Sequence, residues 1–101
     1  MSIKRIDFVK QINDHNSPIN PKLKKALNDF FNEFYLCVEG CILRRDWEGA
    51  DYALIIESSN LYSYLSGEYG WNVHTAFHEA FDKSGFFPEN INSCVVGFYK
   101  N

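Results

Sequence analysis

Two histidines and an aspartate recur at intervals of four residues in the second half of the chain. His74, His78 and Asp82 would lie on one face of a helix, where three such side chains can reach one metal ion. Cys37 and Cys41 have the same spacing, so a zinc site of two cysteines and two histidines is conceivable. However, 32 residues separate the two pairs, and the His-Glu-x-x-His order of zinc proteases does not occur. We interpret the row as a polar, solvated helix edge, assign no metal ligand or cofactor, and leave metal binding as an alternative.

Cys94 and His78 are the residue types of a cysteine–histidine nucleophilic pair. Such a pair needs an exposed thiolate and a positioned base. Cys94 instead begins an apolar run, in which a buried and inert thiol is expected. The sequence also contains no phosphate-binding glycine loop, no nucleophile elbow and no recognisable acid–base pair of carboxylates. We predict that the protein is not an enzyme.

Segment 58–72 sets aromatic rings among serine, glycine and asparagine. Tyrosine and tryptophan give a binding surface contact area at low entropic cost, and small polar residues adapt to the partner. Acidic residues nearby would attract a basic partner. We therefore predict a protein-binding surface, with the alternative that some rings only cover the core. Its predicted residues are Asp46, Trp47, Glu48, Asp51, Glu57, Tyr62, Glu68, Tyr69 and Trp71.

Charge is distributed unevenly along the chain. The formal net charge is -3, from 10 basic and 13 acidic side chains. Lys22, Lys24 and Lys25 occupy the first turns of a predicted helix, where the helix dipole disfavours cations. This placement is either accidental or a cationic patch for an acidic or phosphate group. The acidic total argues against a general nucleic-acid binder.

The elements that must position these residues follow from apolar periodicity and caps. We expect helices over 3–13 (capped by Ser2), 21–39 (capped by Asn20 and ended by Gly40) and 73–84 (capped by Asn72), with a helical turn over 60–68. Strands are expected over 41–45, 52–56 and 94–99, the first two pairing antiparallel, with a polar loop after Pro88. The order ααββααβ predicts a single α+β domain over 1–101, with a small, mostly antiparallel three-stranded sheet packed against about four helices.

Composition limits the function further. The hydrophobic share is 46 % and the charged share 23 %, which is typical of a globular chain. No apolar run is long enough to span a membrane, and the first residues do not resemble a signal peptide. Three cysteines cannot all pair within one chain. We therefore expect a cytoplasmic protein with reduced thiols.

In size, charge and composition the chain resembles the small, acidic, cytoplasmic immunity proteins that bacteria make against colicin-type or contact-dependent inhibition toxins. Members of those families bind a nuclease or another toxic domain tightly and neutralise it, without cofactors or chemistry of their own. The resemblance implies that the predicted surface contacts a cognate basic toxin domain, with no direct contact to nucleic acid or membrane. The same profile fits a phage-type inhibitor of a bacterial defence enzyme, and a small zinc-binding protein is the third alternative.

Overall fold

The computed structural model describes residues 6–13, 18–34, 38–47, 49–68, 70–81 and 84–100. Four helices and four strands lie within these ranges. They are α1 (Phe8–Ile12), α2 (Pro21–Glu33), β1 (Ile42–Trp47), β2 (Ala50–Ile55), α3 (Asn60–Leu65), α4 (Asn72–Glu79), β3 (Phe86–Asn92) and β4 (Val95–Lys100).

The strands form one antiparallel sheet in the order β1-β2-β4-β3. The α+β class and the pairing of the first two strands are therefore as expected, but the prediction of three strands is wrong. The missed strand is β3, where we expected a polar loop after Pro88. Its sequence lacks the apolar pattern typical of a strand, because Pro88 and the exposed Glu89 and Asn90 lie in its middle. β3 is a terminal strand of this sheet and pairs with β4, and an edge position tolerates both proline and polar side chains.

The core lies between one face of the sheet and the helices. α2 begins where its caps predict, because the Asn20 side chain accepts a hydrogen bond from the Lys22 N–H (2.9 Å) and Pro21 occupies the first turn. Its apolar face then packs against the inward-facing strand residues. The fully buried members of this core include Leu23, Leu27, Phe31, Leu43, Leu54, Leu61, Phe77, Phe81 and Phe98.

Two helix ends differ from the sequence prediction. α2 ends at Glu33, six residues before the predicted end, and Phe34 leaves the helical conformation while its ring stays 5.1 Å from that of Phe30. Gly40 therefore does not end the helix. It lies in a later turn with φ of 88°, where an added Cβ would collide with the carbonyl of Ser58. This close approach of two loops explains the glycine without reference to α2.

α4 is also shorter than expected. It spans Asn72–Glu79 rather than 73–84, so Asn72 is its first residue and Trp71 is its N-cap. At the other end, the Ser84 hydroxyl donates to the Phe81 carbonyl (2.8 Å) and closes a turn. Such local hydrogen bonds of serine compete with continued helix.

A seam of asparagines attaches α1 to α2. The Asn32 amide donates to the Ile6 carbonyl (2.9 Å) and its oxygen accepts from the Ile6 N–H (3.1 Å). One turn earlier on α2, the Asn28 oxygen accepts from the Val9 N–H (2.9 Å). Helix α1 begins at Phe8, after non-helical residues 6 and 7, so the predicted start at residue 3 is wrong, and Ser2 lies outside the described residues.

Asp7 is the N-cap of α1 and carries most of the polar contacts at this seam. Its carboxylate accepts from the Lys10 N–H and from the Asn28 amide, each at 3.1 Å, and it lies 3.1 Å from the Lys24 ammonium. The Asn28 hydrogen bond, with smaller contributions from Lys24 and Lys10, holds the pKa of Asp7 below its usual 3.8. Because the side chain is 40 % exposed, solvent screens much of this interaction.

We expect the Asp7 carboxylate to give the protein an acid-sensitive component of stability. A folded-state pKa below 3.8 means that this component is complete above pH 3.8 and disappears as the pH falls through the folded-state value. Urea unfolding of the wild type and Asp7→Asn across this range measures it. The wild type should be more stable at neutral pH, and the difference should shrink in acid. A difference that does not change with pH would contradict the role of the charge.

A second prediction tests the strand that the sequence analysis missed. A Cβ at Gly97 on β4 would lie 2.9 Å from the Ile91 Cδ1 on β3 and 3.1 Å from the Ala50 Cβ on β2. Gly97→Ala should therefore lower the free energy of unfolding by about 1 to 3 kcal/mol through overpacking. In an Ile91→Ala background the cost should be smaller, because the nearest atoms are gone. Equal costs in both backgrounds, measured by chemical denaturation, would contradict the β3–β4 register.

Candidate functional site

Helix α3 and the turn after it position the aromatic residues of segment 58–72. The Ser59 hydroxyl caps α3 by accepting from the Leu61 N–H (3.0 Å), and Leu61 is fully buried in the core. At the other end, the Ser66 hydroxyl donates to the Ser63 carbonyl (2.7 Å). The helix is therefore anchored at its capped end and closed by a defined turn at the other.

Trp71 is the most exposed large apolar side chain in the described part of the chain, at 61 %. Its ring nevertheless has fixed neighbours. A Cβ at Gly67 would lie 2.6 Å from the Trp71 ring, and the His74 ring lies 5.1 Å away, centroid to centroid. Gly67 also has φ of 82°, which favours glycine. Because Gly67 has no side chain, one face of the indole packs against its backbone, and the other face of the indole is exposed to solvent.

Further predicted binding residues flank this ring in sequence. Tyr62 on α3 is 40 % exposed, and Glu68 is exposed in the turn between α3 and α4. Tyr64 packs partly against the core, so this ring covers the core, which was the alternative to a binding role. Tyr69 lies outside the described residues. We call Tyr62, Gly67, Glu68, Trp71 and His74 the α3–α4 surface.

Asp46, Trp47 and Asp51 lie on the β1–β2 hairpin, where the two carboxylates have local partners. The Asp46 carboxylate lies 3.7 Å from the Arg45 Nε, and the Asp51 carboxylate accepts from the Lys100 N–H at 2.8 Å. Asp46 has a left-handed conformation, with φ of 55°. Glu48 lies outside the described residues.

Trp47 at the end of β1 differs from Trp71 in its surroundings. In a regular strand, Arg44 and Trp47 would point to opposite faces, but the left-handed residue between them shifts the alternation. The Arg44 Cζ lies 5.1 Å from the Trp47 ring centroid, and the Trp47 Nε1 is buried without a hydrogen-bond partner among the described residues. This half-buried ring packs on the sheet more than it faces solvent.

The structure therefore does not join all the predicted residues into one patch. Strand β2 places about 13 Å between Asp51 and Ile55, and the exposed Glu57 follows in the turn beyond. Asp46, Trp47 and Asp51 belong to one end of the strand, and Glu57 to the other. These residues are close in sequence, which suggested a common surface. However, β2 is extended and holds the two groups of residues apart.

Two of the three lysines of α2 form ion pairs. The Lys24 ammonium lies 3.1 Å from Asp7, and the Lys25 ammonium lies 2.7 Å from Asp29, one turn along the helix. These carboxylates offset the unfavourable position of the cations near the helix N-terminus. Lys22 and Lys25 also line an open groove of about 300 Å³ with Asp29 and Glu79. The groove has both charge signs, so it gives little preference for an anion.

The two described thiols lie in different surroundings. Cys41 is buried in the core, and Cys94 is half-buried in the turn before β4. Cys37 and Asp82, which the sequence analysis weighed as metal ligands, lie outside the described residues. Among the residues that the structure describes, no group of three or more histidine, cysteine or acidic side chains could hold one metal ion.

His74 and His78 do lie side by side on α4. Their ring centroids are 4.5 Å apart, with an angle of 35° between the ring planes. Together with Trp71 they form a continuous row of three rings along one side of the helix. The sequence spacing predicted the pairing of the histidines, whereas the Trp71–His74 contact depends on the turn before α4.

Within the described ranges, no helix combines the length and apolar character needed to cross a membrane.

No protein-family model, curated protein or solved structure matches this chain.

The two tryptophans should differ in their access to solvent. The protein has only two, so Trp47→Phe reports Trp71 alone and Trp71→Phe reports Trp47 alone. We expect acrylamide to quench the fluorescence of the Trp47→Phe variant more strongly, because the Trp71 ring is 61 % exposed and the Trp47 Nε1 is buried. Equal quenching constants, or the reverse order, would contradict the positions described above.

Proposed function

We propose that this protein is a stoichiometric inhibitor of the immunity type. It binds a toxin domain with a cationic substrate-binding cleft, such as a nuclease, and blocks that cleft with the α3–α4 surface. The observation that carries the proposal is a tryptophan that is both exposed and held in place: Trp71 lies on Gly67, beside His74, with 61 % of its surface exposed.

A ring held in this way is suited to tight binding. Tryptophan is enriched among the few residues that supply most of the binding energy of an interface. A side chain that is already ordered before binding loses less conformational entropy when the complex forms. Trp71 therefore offers a large apolar area at low cost, and Tyr62, also exposed, adds a second aromatic side chain on the preceding helix.

Charge supports a basic partner. The protein has a formal net charge of -3, and Glu57 and Glu68 are exposed before and after α3. Long-range attraction between unlike charges accelerates association, whereas short-range packing controls dissociation. Glu68 is three residues from Trp71 in sequence. In this proposal Glu68 attracts the basic partner and Trp71 supplies the apolar contact, and both lie between α3 and α4.

The proposal places the protein in the bacterial cytoplasm, where it would protect the cell that makes the toxin. Cys41 and Cys94 are not joined in a disulfide in the structure. Cysteines outside disulfides are typical of a reducing compartment.

Co-expression in a heterologous bacterium tests the proposal. The candidate toxin is the product of the gene immediately upstream of the one for this protein. We expect that product alone to stop growth, the wild-type protein to restore it, and the two to co-purify as a complex. Under a titratable promoter, Trp71→Ala should need a higher expression level than the wild-type protein to restore growth. A neighbouring product that is harmless, or equal protection by the two proteins at every expression level, would contradict the proposal.

Affinity measurements on the purified complex make the prediction quantitative. Trp71→Ala should weaken binding by about 2 kcal/mol, roughly 30-fold, as expected for an interface hot spot. Its melting temperature should change little, because most of the ring is exposed. Trp47→Phe is the matched control on the other tryptophan and should bind like the wild type. A larger loss for Trp47→Phe would move the interface to the β1–β2 hairpin.

The role of charge can be tested separately with a second matched pair. Glu68→Gln and Asp46→Asn each remove one negative charge, but only Glu68 belongs to the α3–α4 surface. We expect Glu68→Gln to slow association more than Asp46→Asn, and higher salt to reduce that difference by screening. Surface plasmon resonance measures both rates. Equal effects of the two substitutions would contradict docking through α3–α4.

A further inference from the structure

Helix α4 holds two imidazoles close together on a well-anchored scaffold. Between them in sequence lies Phe77, which is 1 % exposed and contacts the rings of Phe30 and Phe81. Because this side chain fixes the rotation of the helix about its axis, His74 and His78 share a defined neighbouring position. His78 is exposed and His74 is half-buried, so both rings border solvent.

The separation of the two rings matches that of two ligands on one ion. A metal–imidazole bond of about 2.1 Å places each ring centroid roughly 3.2 Å from the metal, so two coordinated rings have centroids about 4.5 Å apart around an octahedral ion and about 5.2 Å apart around a tetrahedral one. The observed separation between His74 and His78 is 4.5 Å. Two histidines four residues apart on a helix are also the pairing that helical zinc sites use.

We propose that His74 and His78 form a two-histidine site for a late first-row divalent cation, such as Zn²⁺ or Ni²⁺. Imidazole nitrogen suits these ions, whereas Mg²⁺ and Ca²⁺ prefer oxygen. Two protein ligands leave the remaining coordination positions to water. The site is therefore an exchangeable surface site and not a structural centre, which in proteins is closed by four ligands.

This site differs from the zinc site that the sequence allowed. That arrangement combined the two histidines with Cys37 and Cys41. Cys41 is buried in the core, whereas the histidines border solvent on α4. The proposed site therefore uses no thiol. The proposal does not rest on toxin binding, although His74 belongs to the α3–α4 surface and contacts Trp71.

Trp71 provides a local reporter for the ion. Its ring centroid lies 5.1 Å from that of His74. An open-shell ion such as Ni²⁺ deactivates an excited indole at short range, so binding at His74 should quench Trp71 emission. Zn²⁺ has a closed shell, so it should restore that emission when it displaces Ni²⁺.

The experiment is a Ni²⁺ titration of the untagged full chain, followed by calorimetry and by tryptophan fluorescence. His74→Gln and His78→Gln each remove one ligand and keep a good helix former. Either substitution should weaken Ni²⁺ binding about 10- to 100-fold, because the second imidazole then no longer acts at high effective concentration. The matched control is His15→Gln, which alters the only other histidine and should bind like the wild type. Circular dichroism checks that every variant keeps its helices.

Trp71→Phe completes the design. It should retain Ni²⁺ binding by calorimetry and lose most of the fluorescence quenching, which would locate the ion on α4. The proposal is overturned if both α4 glutamine variants bind Ni²⁺ like the wild type, or if His15→Gln or Cys94→Ser abolishes binding. Quenching that persists unchanged in Trp71→Phe would also overturn it, since the ion would then lie near Trp47.

Discussion

The packing of Phe77 determines how the rest of the α3–α4 surface is presented. This ring contacts Phe30 of α2, Phe81 after α4 and Phe98 of the sheet, with centroid distances of 5.2, 5.0 and 6.1 Å. Aromatic rings in such contacts add specific geometry to their burial. Since His74 and His78 flank Phe77 on the helix, with the Phe77 and His78 ring centroids 5.9 Å apart, the burial of Phe77 places them at the border between core and solvent. The row of Trp71, His74 and His78 is thus a consequence of how one phenylalanine is buried.

The Trp71 ring is exposed to solvent and also has defined contacts. Exposed aromatic side chains in isolation are common on protein surfaces and by themselves indicate little. What distinguishes Trp71 is that Gly67 and His74 hold its ring while most of it remains accessible. The β1–β2 hairpin shows the opposite arrangement, in which Trp47 packs with Arg44 and the acids Asp46 and Asp51 have nearby partners.

The sequence predicted well those features that depend on neighbouring residues. The cap at Asn20 and Pro21 located the start of α2, and two short strand-like runs located β1 and β2 to within two residues. Strand β3 was missed because its pairing with β4, and not its own polar composition, makes Pro88 to Asn92 a strand. The candidate surface shows the same limit: composition predicted a set of rings and acids, but only the fold shows that β2 separates them. Gly67 four residues before Trp71 was the local signal that the sequence analysis did not use.

The order of strands in the sheet also affects how the molecule must fold. Hairpins β1–β2 and β3–β4 join near neighbours in sequence, but the central pair β2–β4 brings Ile55 beside Val95. Closing a loop of this length costs conformational entropy before the contacts form, which slows folding. Segment 60–81, with α3, α4 and Trp71, lies inside that loop. The surface carrying Trp71 is therefore part of the segment whose ends must meet for the sheet to form.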